Sequence, residues 1–261
     1  MRPIRRFVRA LVAGVVLVTV LSACSGLATP GSVTPSAPIA VDSERVSMMV
    51  SCGGRPFPAE VLTAEGDAER DDHPAAAALR TLLADGNAAD DLLPQTGWRL
   101  AVSERDGAVY IADVPGGDPP FAEVSVRNEE GVWRVEGYGQ CRPTADVGPG
   151  LGLAEFRVAP GTELRPELTE IDVRVTERAC NSGEDARGRI VEPAVIADAT
   201  TVTVVFGVVP RPGEQACPSN PETPFTLRLP EPLGDRRLLD GSSVPPRDAT
   251  TCPDIAVCPE A

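Results

Sequence analysis

Cysteine is the residue type that most constrains how this chain can fold. The 261 residues contain seven cysteines, at positions 24, 52, 141, 180, 217, 252 and 258. A structural zinc site needs closely spaced cysteine and histidine ligands, whereas this chain has no C-x-x-C pair and a single histidine, His73. The cysteines therefore indicate disulfide bonds or covalent modification instead of a metal site. Which of these forms depends on the compartment of the protein, because disulfides persist in oxidising environments.

The first 23 residues have the layout of a secretory signal peptide. Four arginines precede an apolar run over residues 11–21, and the small residues Ser22 and Ala23 follow it. An uncleaved transmembrane helix is the alternative interpretation, but it needs about 20 apolar residues, which is more than this run supplies. We therefore predict that residues 1–23 are removed after export.

The sequence Leu21-Ser22-Ala23-Cys24 resembles the lipobox of bacterial lipoproteins. This resemblance implies cleavage between Ala23 and Cys24 and attachment of diacylglycerol to the Cys24 thiol. It also implies a place on the extracytoplasmic face of the cell membrane. A multiply acylated cysteine anchors a protein stably, whereas one acyl chain binds only marginally. The export route, general secretory or twin-arginine, stays open.

With Cys24 assigned to the lipid, six cysteines remain for disulfides. An even number of cysteines in an exported chain is typical of disulfide pairing. Several pairings are possible, and the domain organisation predicted below favours Cys52–Cys141, Cys180–Cys217 and Cys252–Cys258. The first two would each stabilise the fold by about 3–4 kcal/mol in the chain-entropy model.

The net charge and the residue composition exclude some classes of partner and of chemistry. The formal net charge is −14, which argues against nucleic acid as a ligand because nucleic-acid binding needs a basic surface. It also argues against electrostatic adhesion to anionic lipid. All 24 basic residues are arginine, so lysine-dependent chemistry such as Schiff-base formation is excluded. We predict no cofactor and no metal.

Hydrophobic patterning predicts an α+β N-terminal domain followed by a mainly-β, sandwich-like C-terminal domain. Residues 24–44 are rich in Ser, Thr, Pro and Gly, a composition typical of a disordered tether. Residues 45–147 form the predicted α+β domain. The patterns behind it are an alternation of Val46, Met48 and Val50, a helix beginning near His73-Pro74, and strands over 98–104, 109–113, 121–127 and 132–139.

A linker rich in proline and glycine separates that domain from residues 153–245. In this second range, apolar and polar residues alternate at 171–176 and 201–208, with proline and glycine turns between the alternating runs. Short runs of period two predict a sandwich-like domain. Residues 246–261 are a proline-rich tail that contains the predicted Cys252–Cys258 pair.

Three segments of the second domain have distinctive sequences. They are Cys180-Asn181-Ser182-Gly183 and the runs 217–224 and 231–236. Together they resemble a module that recurs in uncharacterised secreted and lipid-anchored proteins of high-GC Gram-positive bacteria. The resemblance implies an envelope context and no known activity, so it assigns no site residues.

Side chains suited to catalysis are few. His73 is the sole candidate for an imidazole base, with Asp71 or Asp72 to orient it, but a place near the start of a surface helix explains it more simply. The chain lacks the G-x-S-x-G motif of the nucleophile elbow. Among its 38 acidic residues, nothing singles out a carboxylate pair for glycoside hydrolysis.

The loop 217–224 is the best candidate contact surface. A disulfide would hold one end and three prolines stiffen it, and loops on a rigid framework often carry recognition. An equally acceptable interpretation is that these residues only shape the loop. The candidate contact residues are Pro218, Asn220, Pro221, Glu222 and Pro224.

We therefore predict a lipid-anchored envelope protein that is not an enzyme and that binds or scaffolds another envelope component, most simply a protein. One alternative is a carboxylate-dependent hydrolase of cell-wall glycan, which needs a cleft with two acids about 5–10 Å apart. The other is a carrier of a small apolar or lipidic ligand, which needs a cavity of at least about 300 Å³ between helix and sheet.

Overall fold

The computed structural model describes residues 39–85 and 92–253, which form a mainly β structure with several sheets. In this part of the chain there are two α-helices and fourteen strands. In chain order the elements are α1 (Ser43–Met48), β1 (Met49–Ser51), β2 (Phe57–Pro58), α2 (Pro74–Ala84), β3 (Arg99–Ser103), β4 (Gly107–Asp113), β5 (Phe121–Glu129), β6 (Val132–Cys141), β7 (Thr144–Ala145), β8 (Gly152–Val158), β9 (Glu170–Glu177), β10 (Ala194–Ala197), β11 (Thr201–Val208), β12 (Thr223–Arg228), β13 (Arg237–Asp240) and β14 (Arg247–Asp248).

Four consecutive strands form an antiparallel meander in the order β3-β4-β5-β6, and α2 packs on one of its faces. The helix begins where His73 caps it and Pro74 enters its first turn, a position where the missing N–H of proline costs nothing. Leu79 of the helix lies in one apolar cluster with Trp98 and Tyr110, and all three are 0% exposed. Helix and meander therefore share a filled core.

The other long strands form one seven-stranded sheet in the order β12-β9-β8-β11-β13-β14, with β10 paired to β11. The strand β11 connects the two parts of this sheet. Its residues 201–204 run parallel to β13, and its residues 206–208 pair antiparallel with β8. In the apolar cluster on this sheet, the ring of Phe156 packs edge to face against the ring of Phe206, with 5.1 Å between the ring centroids. Within residues 153–245, which the sequence predicts to be sandwich-like, β11 thus joins the strands into one sheet.

A further apolar cluster contains residues from both predicted domains, 45–147 and 153–245. Val46 and Val147 come from the first range, and Val191 and Val205 come from the second. All four side chains are buried. The described residues belong to one compact unit, Pro38–Ala261, and the boundary between two domains stays a prediction.

Two of the predicted disulfides are confirmed. Cys52–Cys141 joins the turn after β1 to the last residue of β6. Cys180–Cys217 joins the segment after β9 to the loop that precedes β12. The third predicted pair has its second cysteine, Cys258, outside the described residues, and the lipobox with Cys24 lies outside them as well.

The start of the folded chain differs from the sequence-based prediction. The alternation over residues 46–50 predicts a strand, which is wrong for 46–48, because α1 occupies them and β1 begins only afterwards. The reason is Asp42, whose carboxylate accepts hydrogen bonds from the N–H groups of Glu44 and Arg45 and so caps the helix. Val41, which falls within the range predicted as a tether, is 5% exposed.

Candidate functional site

The loop 217–224 leads from the Cys180–Cys217 disulfide into β12, and a side chain at its middle fixes it to the framework. The amide nitrogen of Asn220 donates to the carbonyl oxygens of Glu177 and Ala179, at 2.7 Å each. Glu177 is the last residue of β9. The Asn220 side chain therefore attaches the loop to the end of β9.

The last residues of the loop are held by partly buried polar contacts. Both carboxylate oxygens of Glu222 accept hydrogen bonds from the Arg157 guanidinium of β8, at 2.6 and 2.8 Å. Both side chains are less than one-fifth exposed, and a bidentate pair of this kind is stronger and more directional than a single contact. The buried hydroxyl of Thr223 accepts the N–H of Ala186 at 2.7 Å.

A buried ion pair forms the base of the loop. The Glu177 carboxylate is 2% exposed and accepts hydrogen bonds from both terminal nitrogens of Arg189, at 3.1 and 2.6 Å. The side chain of Asn181, within the first of the distinctive segments, donates to the same carboxylate at 3.0 Å. Burying a carboxylate is costly unless it is paired and hydrogen-bonded, and here the contacts of Glu177 with Arg189 and Asn181 also join the end of β9 to the segment after it.

The three prolines of the loop face solvent. Pro218, Pro221 and Pro224 are exposed, whereas the Asn and Glu predicted to make contacts are only partly exposed and bind the framework. Pro218 lies directly over Gly183, where an added β-carbon would approach the proline ring to 3.0 Å. The predicted contact residues therefore divide into two polar residues that shape the loop and three prolines that form its surface. We call Pro218, Pro221 and Pro224 the proline ridge.

A second candidate is a cleft of about 520 Å³ lined by three arginines. Two of them are paired with carboxylates that line the same cleft: Arg142 with Asp118, and Arg178 with Glu155 at 2.6 Å. The cleft thus brings together two acids, as a glycan hydrolase would need, but each acid is committed to an arginine.

The third arginine of the cleft, Arg247, is bound more completely. It lies 2.8 Å from the Asp240 carboxylate, which is 0% exposed, and it also donates to the carbonyl oxygens of Phe156 and Asp248. Burial raises the pKa of Asp240 above its usual value, and the positive charge of Arg247 opposes that rise. Since the three arginines each have a carboxylate partner, the cleft offers little uncompensated charge to an anion.

His73 is a helix cap in this structure. Its Nδ1 accepts the N–H of Ala75 at 3.3 Å, and its Nε2 lies 3.4 Å from the Ser103 hydroxyl. A Ser-His-Asp triad needs the opposite arrangement, with an Nδ1 proton directed at a carboxylate. Asp71 instead accepts the backbone N–H of His73. The neighbours of His73 therefore favour the structural interpretation made from the sequence.

Sequence reasoning missed the half-buried Glu123 of β5. Burial raises the pKa of its carboxyl group, and the Ser125 hydroxyl at 3.5 Å opposes the rise. A raised pKa suits a general acid, but within the described residues no hydrogen bond joins a second carboxylate to Glu123. No local sequence signal distinguishes this residue from the other acids, since its environment depends on the pairing of distant strands.

Comparison with known proteins finds no matching family model, no similar curated protein and no similar solved structure. In the part of the chain that the structure describes, no helix has the length and apolar character needed to cross a bilayer. The same residues hold no group of three His, Cys, Asp or Glu side chains placed to bind a metal ion. The loop 217–224 and the arginine-lined cleft are therefore two candidate sites among the described residues.

Proposed function

We propose that this protein is held at the cell membrane by a lipid on Cys24 and binds another envelope protein without catalysing a reaction. The observation that carries the proposal is the loop 217–224, which is fixed to the framework along its length while its prolines face solvent. A surface ordered in this way loses little conformational entropy when a partner binds.

We further propose that an α+β domain over 45–147 is followed by a β-sandwich-like domain over 153–245, both on the outer side of the membrane. The lipobox sequence supports the anchor, and the two disulfides support export, because such bonds persist in oxidising compartments.

The two alternatives have weaker support. A glycan hydrolase would use the acids of the cleft, Asp118 and Glu155, which are both occupied by arginines. A carrier would need space between α2 and the meander, where Leu79, Trp98 and Tyr110 are all fully buried in one cluster. Both remain hypotheses, and each is tested by the experiment below.

The test is chemical cross-linking in cells that produce the protein, followed by mass spectrometry of what co-purifies. The wild-type chain is compared with Cys24→Ala, which cannot receive the lipid. The proposal expects a protein partner that is enriched with the anchored chain and lost with the variant. Recovery of glycan or lipid without a protein partner, or turnover of an envelope substrate by the purified protein, would contradict it.

A further inference from the structure

We infer that a groove on one face of β9 and β12 binds a free α-amino acid, with the carboxylate of the ligand on Arg174 and its ammonium group on Asp172. The groove has a volume of about 380 Å³, and both side chains line it. The inference goes beyond the proposed function, because the binding of an envelope protein needs no small ligand.

Strand pairing places the two charged side chains on the same face of the sheet. Asp172 is opposite Thr226, and Arg174 is opposite Pro224. Residues two apart on a strand point to one face and are separated by about 6.6 Å. Within the described residues, no ion pair joins Asp172 to Arg174. An α-amino acid carries both charges on one carbon, so it is the smallest ligand that supplies both counter-charges across this short distance.

The positive charge of Arg174 has no ion-pair partner in the described part of the chain. Two neighbouring arginines do have one. Arg157, which is opposite Arg174 on β8, binds Glu222, and Arg228 of β12 binds Glu170. The Arg174 side chain is partly buried. A carboxylate that enters the groove therefore gains a charge-assisted and bidentate pair of hydrogen bonds, which the paired arginines of the cleft do not offer.

The Asp172 carboxylate has one oxygen available for an ammonium group. Its Oδ1 accepts the hydroxyl of Thr226 at 3.0 Å, and no described residue donates to its Oδ2. An ammonium group has three donors and no acceptor, so it matches this oxygen. The hydroxyl of Thr162, which also lines the groove, makes no hydrogen bond with another described residue and is a second acceptor for the same group.

The wall of the groove is fixed by the backbone. The N–H of Ala159 donates to the carbonyl oxygen of Asp172 at 2.9 Å, and the N–H of Thr162 donates to the carbonyl oxygen of Ala159 at 3.1 Å. A site ordered in this way loses little conformational entropy on binding. Pro160 and Pro224 line the groove as well, and their rings suit an amino acid with a small apolar side chain.

The test is a ligand-observed NMR titration of the purified full chain with valine and its two single-charge analogues. Isovalerate lacks the ammonium group, and isobutylamine lacks the carboxylate. We expect saturable binding of valine that is at least about tenfold tighter than that of either analogue, because each analogue leaves one charged side chain without its partner. No saturable binding of valine, or equally tight binding of either analogue, would overturn the inference.

Substitutions locate the site. Arg174→Gln and Asp172→Asn should each weaken valine binding on the order of tenfold. The matched controls are Arg228→Gln and Glu170→Gln, since this exposed pair lies on the same face but does not line the groove. Equal weakening in variants and controls would overturn the inference even if valine binds. The proposed function is tested separately, by the cross-linking comparison with Cys24→Ala.

Discussion

At the scale of single residues, the base of the loop depends on Glu177. Replacing it by Gln leaves Arg189 without its buried counter-charge, and removing one partner of a buried ion pair costs about 3–5 kcal/mol. Urea unfolding of Glu177→Gln measures the loss. The control is Glu170→Gln, whose pair with Arg228 is exposed and should change the free energy of unfolding by less than about 1 kcal/mol. Equal losses in both variants would contradict this account.

Tyr110 gives the protein a pH dependence in alkali. Burial, with a smaller contribution from the charge of Asp71, raises the pKa of Tyr110 from 10.0 to about 12. The folded protein therefore keeps the phenol proton where the unfolded chain loses it. The free energy of unfolding consequently falls as the pH rises through the range from about 10 to 12.

The variant Tyr110→Phe tests this pH dependence both at neutral pH and above about pH 10. The Tyr110 hydroxyl has no hydrogen-bond partner within the described residues, so its removal should leave stability at neutral pH unchanged or raise it by about 1 kcal/mol. Thermal unfolding should then show a smaller loss of stability above about pH 10. Tyr138→Phe is the control, because Tyr138 is exposed. If Tyr110→Phe lost as much stability above about pH 10 as the wild-type protein does, Tyr110 would not be the group responsible for the pH dependence.

At the scale of elements, Cys180–Cys217 connects the proline ridge to the end of β9. The two cysteines are 37 residues apart, and replacing both with Ala should lower the free energy of unfolding by about 4 kcal/mol in the chain-entropy model. The variant should also recover less of the cross-linked partner, because the loop is no longer held at its start. Replacing Cys52 and Cys141 should destabilise the chain at least as much without changing the recovery of the cross-linked partner per folded molecule.

The elements that sequence predicted best are those with local signals. The strand predicted over 121–127 is observed as Phe121–Glu129, and the helix predicted to begin near His73-Pro74 starts at Pro74. The seven-stranded sheet was not predictable, because β11 pairs in parallel with β13, which lies far along the chain. Of the strand predicted at 46–50, only the part from Met49 onward is observed, because the Asp42 cap starts a helix over the preceding residues.

Within the candidate site, the sequence identified the loop and its disulfide but not what holds them. Arg157 and Glu222 are 65 residues apart, and no local pattern connects them. The orientation of Asn220 likewise depends on carbonyl groups of another element. The one local signal that was available is the presence of three prolines, since each proline restricts the backbone of the loop.

At the scale of the whole molecule, the formal charge of −14 and the arrangement of ion pairs suit a protein that keeps away from anionic surfaces. The arginines of the cleft are neutralised by nearby carboxylates, so they add little to long-range attraction. The proline ridge presents no charge of its own. We therefore expect partner binding to weaken only modestly at high salt, measured as the yield of cross-linked partner in membranes at increasing ionic strength.

The most direct test of the central claim is hydroxyl-radical footprinting of the anchored chain in its native envelope, compared with the purified full chain. Prolines are oxidised by this reagent, and the molecule carries them both on the ridge and in the cleft, where Pro245 and Pro246 are exposed. This account predicts that Pro218, Pro221 and Pro224 are protected in the envelope and that the cleft prolines are not. Protection of Pro245 and Pro246 with unchanged oxidation of the ridge would place the binding site in the cleft and contradict the account.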